Sequence, residues 1–303
     1  MVQVTVAEVS KALLGKEHQI RLSLCCLFSG GHLLLEDLPG MGKTTLSYAL
    51  AKALGMQYNR IQFTSDLLPA DILGISIYDQ SSGQFSFHPG PIFNQLVLAD
   101  EINRTTPKTQ SALLEAMEEH QVTVEGETRR LPDPFFVIAT QNPVNLAGTY
   151  PLPESQLDRF LMRLRLGYPD QRAERELLEM DTERDKVESV QQCLQLQQVT
   201  DFRKRSAQVK ASSALLDYVQ RLIAFTRSHE EFHFGLSPRG SLALMRAAKT
   251  WALMCGRDHV VPEDVQTVLP AVVEHRLRAM SDEDGHTGAA LVQRLLSEVD
   301  IID

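Results

Sequence analysis

The stretch HLLLEDLPGMGKTTLSYALAKAL, residues 32–54, constrains the fold of this chain more than any other. It contains Gly42-Lys43-Thr44, the end of the phosphate-loop pattern G-x-x-x-x-G-K-[ST]. That pattern begins with glycine, but this chain has Asp37 at the corresponding position. A dense apolar strand precedes the loop and an apolar-faced helix follows it, which is the context that the pattern requires. The stretch therefore predicts a phosphate-binding turn between a buried strand and a helix.

The residues of LPGMGKTT suit contact with phosphate groups. Glycines at two positions allow torsions closed to other residues and let the main chain approach phosphate closely. The loop amides and the helix N-terminus can attract phosphate oxygens, while a lysine can reach the β- and γ-phosphates. Aspartate tolerates left-handed torsions better than most residues, so Asp37 can enter this turn. The predicted nucleotide-binding residues are Pro39, Gly40, Met41, Gly42, Lys43, Thr44 and Thr45.

A second element, QLVLADEINR, places two carboxylates after an apolar run. Asp100 lies at the predicted C-terminal edge of a strand and can hold Mg²⁺ through water, together with the Thr44 hydroxyl. Glu101 follows directly and can polarise an attacking water. Two matching elements in this order predict Mg²⁺-dependent hydrolysis of a nucleotide.

The first half of the chain alternates predicted strands and helices. Helices are predicted over residues 8–28 and 108–120, and the two hydrophobic runs after 93 and 135 are typical of strands buried on both faces. This alternation predicts an α/β fold, a doubly wound parallel sheet with helices on both sides. The five predicted strands span residues 32–36, 58–63, 93–99, 135–140 and 160–166.

The sequence changes character at residues 167–169, after which no strand is predicted. The expected domains are therefore an α/β core over residues 1–168 and a small all-α domain over residues 169–303, with a hinge at 167–171. Residues 183–208 are polar and Gln-rich and are predicted to be partly extended linker. The predicted helices of this half span residues 172–181, 212–228, 237–255 and 262–280.

Composition indicates an ordinary globular chain of 303 residues, with 43% hydrophobic and 23% charged residues. The formal net charge of −9 lowers the expectation of nucleic-acid binding. No apolar run reaches the length of a membrane span, and no signal peptide is recognised, so no membrane insertion is expected. The spacing of the four cysteines matches no metal or redox motif, which favours a reduced, cytoplasmic protein.

Five stretches resemble the MoxR family of AAA+ ATPases: LLLEDLPGMGKTTL, RIQFTSDLLPADILG, HPGPIFNQLVLADEINRTTPKTQSALLEAMEE, FFVIATQNPVNLAGTYPLPESQLDRFLMRL and GLSPRGSLALMRAAKTWAL. They cover both predicted domains. Members of this family carry Glu-Asp before the Pro-Gly of the loop, so Asp37 is a family variant rather than a defect. The resemblance implies an AAA+ P-loop core followed by a helical lid, with ATP and Mg²⁺ as cofactors.

The resemblance also implies roles for four polar residues outside the loop. Asn142 matches the first sensor, which contacts the γ-phosphate or the attacking water. Arg159 matches the arginine finger, offered to the ATP of a neighbouring subunit, and Arg163 is the nearby alternative. Arg239 matches the second sensor, which reaches from the lid to the γ-phosphate. With Glu101, these residues form the expected catalytic set.

A finger acting in trans implies a homo-oligomeric ring, and the family implies a hexamer. The expected function is ATP hydrolysis that drives chaperone-like remodelling or maturation of protein clients, such as a protein with a von Willebrand factor A domain. Residues 74–92 and 121–134 resemble inserted hairpins that face the pore or a client. Gln62, at the end of the second strand, can restrain Glu101 until a client binds.

Three other functions fit parts of the sequence. His229 and His233 belong to HEEFH, which matches the H-E-x-x-H pattern of zinc peptidases with Glu230 as general base. The pattern falls at the end of a predicted helix and no third ligand has clear spacing. The other two alternatives are the ATP-dependent motor of a metal-chelatase-like complex and a nucleotide-dependent scaffold that does not hydrolyse.

Overall fold

The computed structural model describes residues 1–81, 83–142, 149–179, 187–279 and 288–301, which form an α/β core and a mainly helical second half. The predicted fold class is confirmed. In chain order the elements are α1 (Val2–Ser10), α2 (Glu17–Phe28), β1 (Leu33–Glu36), α3 (Lys43–Ala53), β2 (Tyr58–Gln62), α4 (Pro69–Leu73), β3 (Gly74–Asp79), β4 (Gln84–Pro89), β5 (Leu96–Asp100), α5 (Pro107–Glu119), β6 (Gln121–Val124), β7 (Glu127–Arg130), β8 (Phe136–Gln141), α6 (Glu154–Leu157), β9 (Met162–Leu164), α7 (Gln171–Leu178), α8 (Leu196–Ala207), α9 (Ser213–Ser228), β10 (Phe232–Phe234), α10 (Pro238–Met254), α11 (Pro262–Val273), β11 (Arg278–Ala279) and α12 (Gly288–Glu298).

The central sheet has five parallel strands in the order β2-β5-β8-β1-β9. Strands β5 and β8 are buried along their whole length, as their continuous apolar sequences predict. Because β8 lies between β1 and β5, the residues that follow these three strands meet at one edge of the sheet. Ligands of open α/β sheets bind at this carboxyl edge.

The second half packs against the core through a shared hydrophobic cluster. Its members include Leu24 and Phe28 from α2, and Trp251 and Val265 from the later helices. One feature differs from the prediction of an all-helical domain. Strands β10 and β11 form a short antiparallel ladder, because Phe232 buries its side chain while its backbone pairs with the segment after α11.

Three predicted element boundaries are wrong. The helix predicted over residues 8–28 is two helices, because Gly15 adopts a left-handed turn with φ of +67°. The predicted linker contains α8, which buries Val199 and Phe202 against the core cluster. Helix α11 ends at Val273, where a short 3₁₀ turn leads into β11. The predicted helix ends at Asp181 and Met280, and residues 183–186 of the predicted linker, lie outside the described residues.

Both predicted hairpins are confirmed: β3 pairs with β4, and β6 with β7. Glu125 and Gly126 form the turn of the second hairpin, with φ of 54° and 83°, as two-residue turns between antiparallel strands favour. Arg129 of this hairpin places its guanidinium 3.8 Å from the ring centroid of Phe87, so the two hairpins contact each other. Among the described residues, no helix combines the length and apolar character needed to cross a bilayer.

Candidate functional site

The carboxyl edge of the sheet holds a cavity of about 300 Å³, here called the phosphate cavity. It brings together residues from the loop after β1, the end of β5 and the end of β8. Met41 does not line it and packs against the hydrophobic core instead. The other six predicted loop residues line this cavity. They are joined by the three predicted polar residues Asp100, Glu101 and Asn142, and by Arg60, which was not predicted. The lining residues are Pro39, Gly40, Gly42, Lys43, Thr44, Thr45, Arg60, Asp100, Glu101 and Asn142.

The loop that leads into α3 has the backbone that its glycines predict. Gly40 and Gly42 have φ of +83° and +85°, a region that side chains other than glycine rarely adopt. A Cβ at Gly42 would also lie 2.6 Å from Leu13, so the segment between α1 and α2 presses directly on the loop. Glycine is therefore favoured at position 42 chiefly by torsion, since a larger residue would also have to displace the end of the Leu13 side chain.

Lys43 begins α3 and points its ammonium group into the phosphate cavity. Its Nζ donates to the main-chain oxygen of Asp37 at 2.6 Å and to Oδ1 of Asn142 at 3.3 Å. Burial lowers the pKa of Lys43, and the nearby carboxylates of Asp37, Asp100 and Glu101 oppose that shift. The ammonium is a buried cation held by oxygen atoms, which suits it to bind a phosphate oxygen.

Asp37 does not use the left-handed torsion that the sequence suggested for it, because its φ is not positive. Asp37 acts through its side chain instead. Oδ2 accepts hydrogen bonds from the amides of Leu166 at 2.6 Å and Gly167 at 2.7 Å. The residue that departs from the phosphate-loop pattern thus connects the loop to the end of the core domain.

Asp100 ends the buried strand β5 and has partners on both carboxylate oxygens. Oδ1 accepts from the Thr140 hydroxyl at 2.6 Å. Oδ2 accepts from Arg60, at 2.6 Å from Nη2 and 3.1 Å from Nε. Thr44 and Asp100 line the same cavity and supply hard oxygen donors, which are the ligands that Mg²⁺ prefers. This donor set fits the predicted magnesium ion.

Glu101 follows in a left-handed conformation, with φ of 58°. Its Oε1 accepts from the amide of Asn142 at 2.8 Å. Its Oε2 accepts from Gln62 at 3.0 Å and from Arg104 at 2.8 Å. The predicted contact between Gln62 and Glu101 is therefore present. The side chain that can orient water is held by three donors from three different segments.

A second cavity, of about 700 Å³, lies between the core and the second half and shares no lining residue with the phosphate cavity. Its lining includes four arginines and two acids, so we call it the arginine cavity: Arg159, Arg239, Arg246, Arg276, Glu118 and Asp158. Arg159 donates to the Leu114 carbonyl at 2.7 Å and pairs with Glu118 at 3.0 Å.

Arg239 lines the arginine cavity rather than the phosphate cavity of its own chain. It pairs with Glu118 and lies 4.0 Å from Asp158. The expectation that Arg239 is a second sensor for the γ-phosphate stays a prediction, and in the structure its side chain lines a cavity other than the phosphate cavity of its own chain. It begins α10, as the sequence predicts, but that helix directs it to the side of the molecule where Arg159 lies.

Arg163, the alternative finger, is committed to an ion-pair network inside the chain. Its side chain is only 10% exposed and pairs with Glu36 at 3.3 Å and Glu274 at 2.9 Å. Removing an arginine from two partly buried carboxylates is costly. This geometry disfavours Arg163 and leaves Arg159, which is 29% exposed beside a cavity, as the better finger candidate.

Comparison with known proteins identifies the family of this chain. Residues 32–162 match the model of the ATPase family associated with various cellular activities (AAA), and residues 224–295 match the AAA lid domain. The chain is 41% identical to Chaperone MoxR1 of Mycobacterium tuberculosis, over 92% of this chain and 77% of that protein. The chain therefore belongs to the MoxR family of AAA+ ATPases.

Two further relatives extend along nearly the whole chain. YeaC of Bacillus subtilis is 45% identical over 98% of this chain and 93% of its own length. The crystal structure of a candidate ATPase from Cytophaga hutchinsonii has a TM-score of 0.88 and 36% identity, over 100% of this chain and 95% of that one. A MoxR fold is thus supported for both halves, and family membership supports nucleotide binding and ATPase activity in general.

The HEEFH pattern does not form a zinc site in this MoxR chain. His229 follows the end of α9, and its ring stacks on Phe225 with centroids 4.7 Å apart. Residues 232–234 form β10, so the two histidines do not lie one turn apart on a helix. Among the described residues, no group of three or more His, Cys, Asp or Glu side chains is placed to hold a metal. The structure therefore does not favour the zinc-peptidase alternative.

Three polar residues that line or support the two cavities were missed at the sequence level. Arg60 lies on β2 directly opposite Leu98 of β5, which brings it to Asp100. Thr140 donates to Asp100 and accepts from the amide of Glu101 at 2.8 Å. Glu118 pairs with Arg159 and Arg239, two of the four arginines of the arginine cavity. The only signal for Thr140 was its position near the end of an apolar strand.

Proposed function

We propose that this MoxR protein hydrolyses ATP with Mg²⁺ and uses the cycle to remodel or mature client proteins. The observation that carries the proposal is the carboxylate of Glu101. Asn142 and Gln62 hold it in the same cavity as Lys43 and Asp100. The third donor is the Arg104 guanidinium, and a carboxylate positioned by these donors can orient and polarise water.

The residues divide the chemistry among them. Lys43 and the loop amides bind phosphate oxygens, with the positive end of α3 behind them. Thr44 and Asp100 would hold Mg²⁺, which when bound neutralises charge on the phosphates. Glu101 orients the attacking water, and Asn142 lies within hydrogen-bonding distance of both Glu101 and Lys43. Asn142 is therefore suited to report the state of the γ-phosphate to the base.

We further propose that the complete site forms between subunits of a ring, most simply a hexamer. Arg159 and Arg239 line a cavity separate from the phosphate cavity, so neither can serve the phosphates of its own chain in this arrangement. Supplied by a neighbour, such an arginine stabilises charge in the transition state. We propose that both act in trans and that residues 1–168 and 169–303 are the two moving domains.

The first experiment measures phosphate release by the purified protein with ATP, with and without Mg²⁺. Wild type should turn over ATP only with Mg²⁺, and Lys43→Ala should neither bind nor hydrolyse ATP. Lys52→Ala, on the same helix but outside the cavity, is the matched control and should retain both. Nucleotide binding without any Mg²⁺-dependent turnover would favour the non-hydrolysing scaffold instead.

The client can be sought with the Glu101→Gln variant loaded with ATP, which should hold partners that the wild type releases. We propose a von Willebrand factor A domain protein as partner and a reduced, cytoplasmic setting, in keeping with the four free cysteines. Recovery of a chelatase complex in the same experiment would instead support the alternative of a metal-chelatase-like motor.

A further inference from the structure

Strand β9 ends the core domain, and the chain then passes to α7 through residues 165–170. The ladder between β1 and β9 stops at the pair Leu35 and Leu164. Beyond it, the amides of Leu166 and Gly167 have no strand partner and both donate to one oxygen of Asp37. The carboxylate thus continues the ladder past its end, at the point where Gly167 turns the chain with φ of +65°.

The same residue also holds the phosphate-binding lysine. The main-chain oxygen of Asp37 accepts from Nζ of Lys43 at 2.6 Å, and its side chain is engaged with Leu166, Gly167 and its neighbour Leu38. Hydrogen bonds that involve a charged donor or acceptor are the strong ones. One residue therefore connects the ammonium that meets phosphate to the first amides of the interdomain connection.

Glu36 makes a parallel connection from the same strand end. Its carboxylate pairs with Arg163 and Arg165, each at 3.3 Å, and these arginines also pair with Glu274 after α11. The Glu-Asp pair before the loop therefore fastens β1 to β9 and, through the arginines, to the second domain. Glycine at position 37, as in the general phosphate-loop pattern, would remove the connection made by the Asp37 carboxylate and leave the one made by Glu36.

The connection itself is held at further points. Nζ of the buried Lys16 donates to the Tyr168 carbonyl at 2.5 Å, and Asp170 caps the start of α7 by accepting from the Ala173 amide at 2.8 Å. Residues on both sides of Gly167 are thus fixed to well-packed elements. The amides of 166 and 167 are the part of this segment that depends on the phosphate loop.

We propose that Asp37 is a positioning residue that couples phosphate binding at Lys43 to the connection between the two domains. This inference rests on the proposed function, because it requires that Lys43 moves its hydrogen bond from Asp37 to a phosphate oxygen. That transfer removes one constraint on the Asp37 backbone and changes how firmly its carboxylate holds residues 166 and 167. Binding of phosphate at the loop thereby alters the connection to the helical domain.

The test compares amide hydrogen exchange of the 165–170 segment in wild type, Asp37→Gly and Asp37→Asn, with and without Mg²⁺ and a non-hydrolysable ATP analogue. Asp37→Gly should speed exchange there about tenfold or more, since a hydrogen bond to a charged group is worth about 1.5–3 kcal/mol. Asp71→Asn is the matched control. Asp71 caps an amide remote from the connection, at Leu68, so its loss should leave the 165–170 segment unchanged.

In wild type, the analogue should change exchange of this segment by about threefold or more, and in Asp37→Gly that response should be lost. Affinity for the analogue should stay within about threefold, because the hydrogen bonds described for the Asp37 side chain go to Leu38, Leu166 and Gly167, none of which lines the phosphate cavity, and its charge acts on Lys43 only through space. Unchanged exchange in Asp37→Gly, or a nucleotide response as large as in wild type, would overturn the proposal. Loss of analogue binding in Asp37→Gly would also overturn the proposal.

Two comparisons keep the test decisive. If Asp37→Gly does not fold, Asp37→Asn is used in its place, since asparagine keeps the side-chain volume but offers a neutral acceptor. Amide exchange of residues 165–170 should then rise by about threefold. If wild type itself fails to bind the analogue, the proposed function fails. If wild type binds it and Asp37 variants behave like wild type at residues 165–170, only the coupling role fails.

Discussion

The phosphate cavity and the arginine cavity differ in how their charged side chains are balanced. In the first, the carboxylates of Asp100 and Glu101 accept hydrogen bonds from several segments, and Lys43 donates to Asp37 and Asn142. In the second, four arginines face only two acids, and Glu118 serves two of them. The charges of the first cavity are balanced by groups of the same chain. The second cavity has an excess of positive charge, which suits it to bind an anion supplied by another molecule.

This difference is consistent with the proposal that one chain carries two half-sites. A buried carboxylate is tolerated only if its charge is compensated, so the phosphate cavity supplies Arg60 and Lys43 nearby. In the other cavity, Arg159 and Arg239 are more accessible and need less compensation, whereas the buried Arg276 is paired with Asp158. Variants that act on one cavity and spare the other can break or sharpen the comparison.

The largest effect is expected for Arg159→Ala. Loss of an arginine finger lowers turnover by about 10³-fold or more, and the variant should regain part of its activity when mixed with Lys43→Ala subunits. Each variant damages a different half of a shared site, so mixed rings contain some intact ones. Steady-state phosphate release across mixing ratios is the measurement. Arg175→Ala, on the exposed face of α7, is the control, and absence of rescue at every ratio would exclude action in trans.

Glu101→Gln should lower turnover by about 100-fold or more, the range of general-base catalysis. ATP binding should persist, because glutamine keeps the size of the side chain and contacts no phosphate. Fluorescent-nucleotide titration and phosphate release measure the two properties separately. Glu115→Gln, an exposed change on α5, is the control. Full turnover by Glu101→Gln would remove Glu101 from its assigned role.

The buried His32, one of two histidines that line the arginine cavity, predicts a dependence of stability on pH. His32 accepts from the Val137 amide at Nδ1, so its Nε2 donates to the Met117 carbonyl, and burial lowers the pKa of His32 to about 3. As pH falls from about 6.5 towards 3, the unfolded state takes up a proton that the folded state refuses. His32 should therefore reduce the free energy of unfolding by about 2 kcal/mol between pH 7 and pH 5.

Chemical denaturation at several pH values checks this dependence. His32→Leu should flatten the slope of stability against pH, whatever its effect on stability at neutral pH. His259→Asn removes an exposed histidine and should leave the slope unchanged. An unaltered slope in His32→Leu would mean that His32 is protonated in the folded state.

The smallest effect is expected for Glu118→Gln. Glu118 pairs with Arg159 and Arg239 in a partly exposed setting, and such pairs are worth roughly 1 kcal/mol or less. Freed arginines should engage a neighbour more readily, lowering by about threefold the protein concentration at which specific ATPase activity is half-maximal. The adjacent, exposed Glu119→Gln is the control. A higher concentration requirement would show that Glu118 supports the arginines rather than withholding them.

Much of the fold and half of the site could be predicted from sequence because they are local. The turn after β1 needs glycine at positions 40 and 42, and the lysine and threonine follow at fixed spacing on a helix. Asp100 and Glu101 were predictable because an apolar strand has to end where charge begins. Helix boundaries failed where packing decided them, as at α8, whose polar sequence buries only one stripe.

The interpretation of Asp37 shows where local reasoning stops. Its identity pointed to the family, and its freedom to enter a turn was inferred from torsional preference, which the structure does not use. Its actual partners lie 129 and 130 residues away in sequence. Likewise, HEEFH has metal-ligand spacing only if it is helical, and the pairing of β10 with β11 removes that condition.

The sequence by itself determined the phosphate loop, the acidic strand end and the MoxR membership, because short motifs carry their own backbone geometry and chemistry. Only the tertiary structure decided that Arg60 compensates Asp100, that Glu118 holds Arg159, and that Arg239 faces away from its own phosphate cavity. The reason is physical: these contacts depend on strand order and on the docking of the second domain, which no spacing within a single segment encodes.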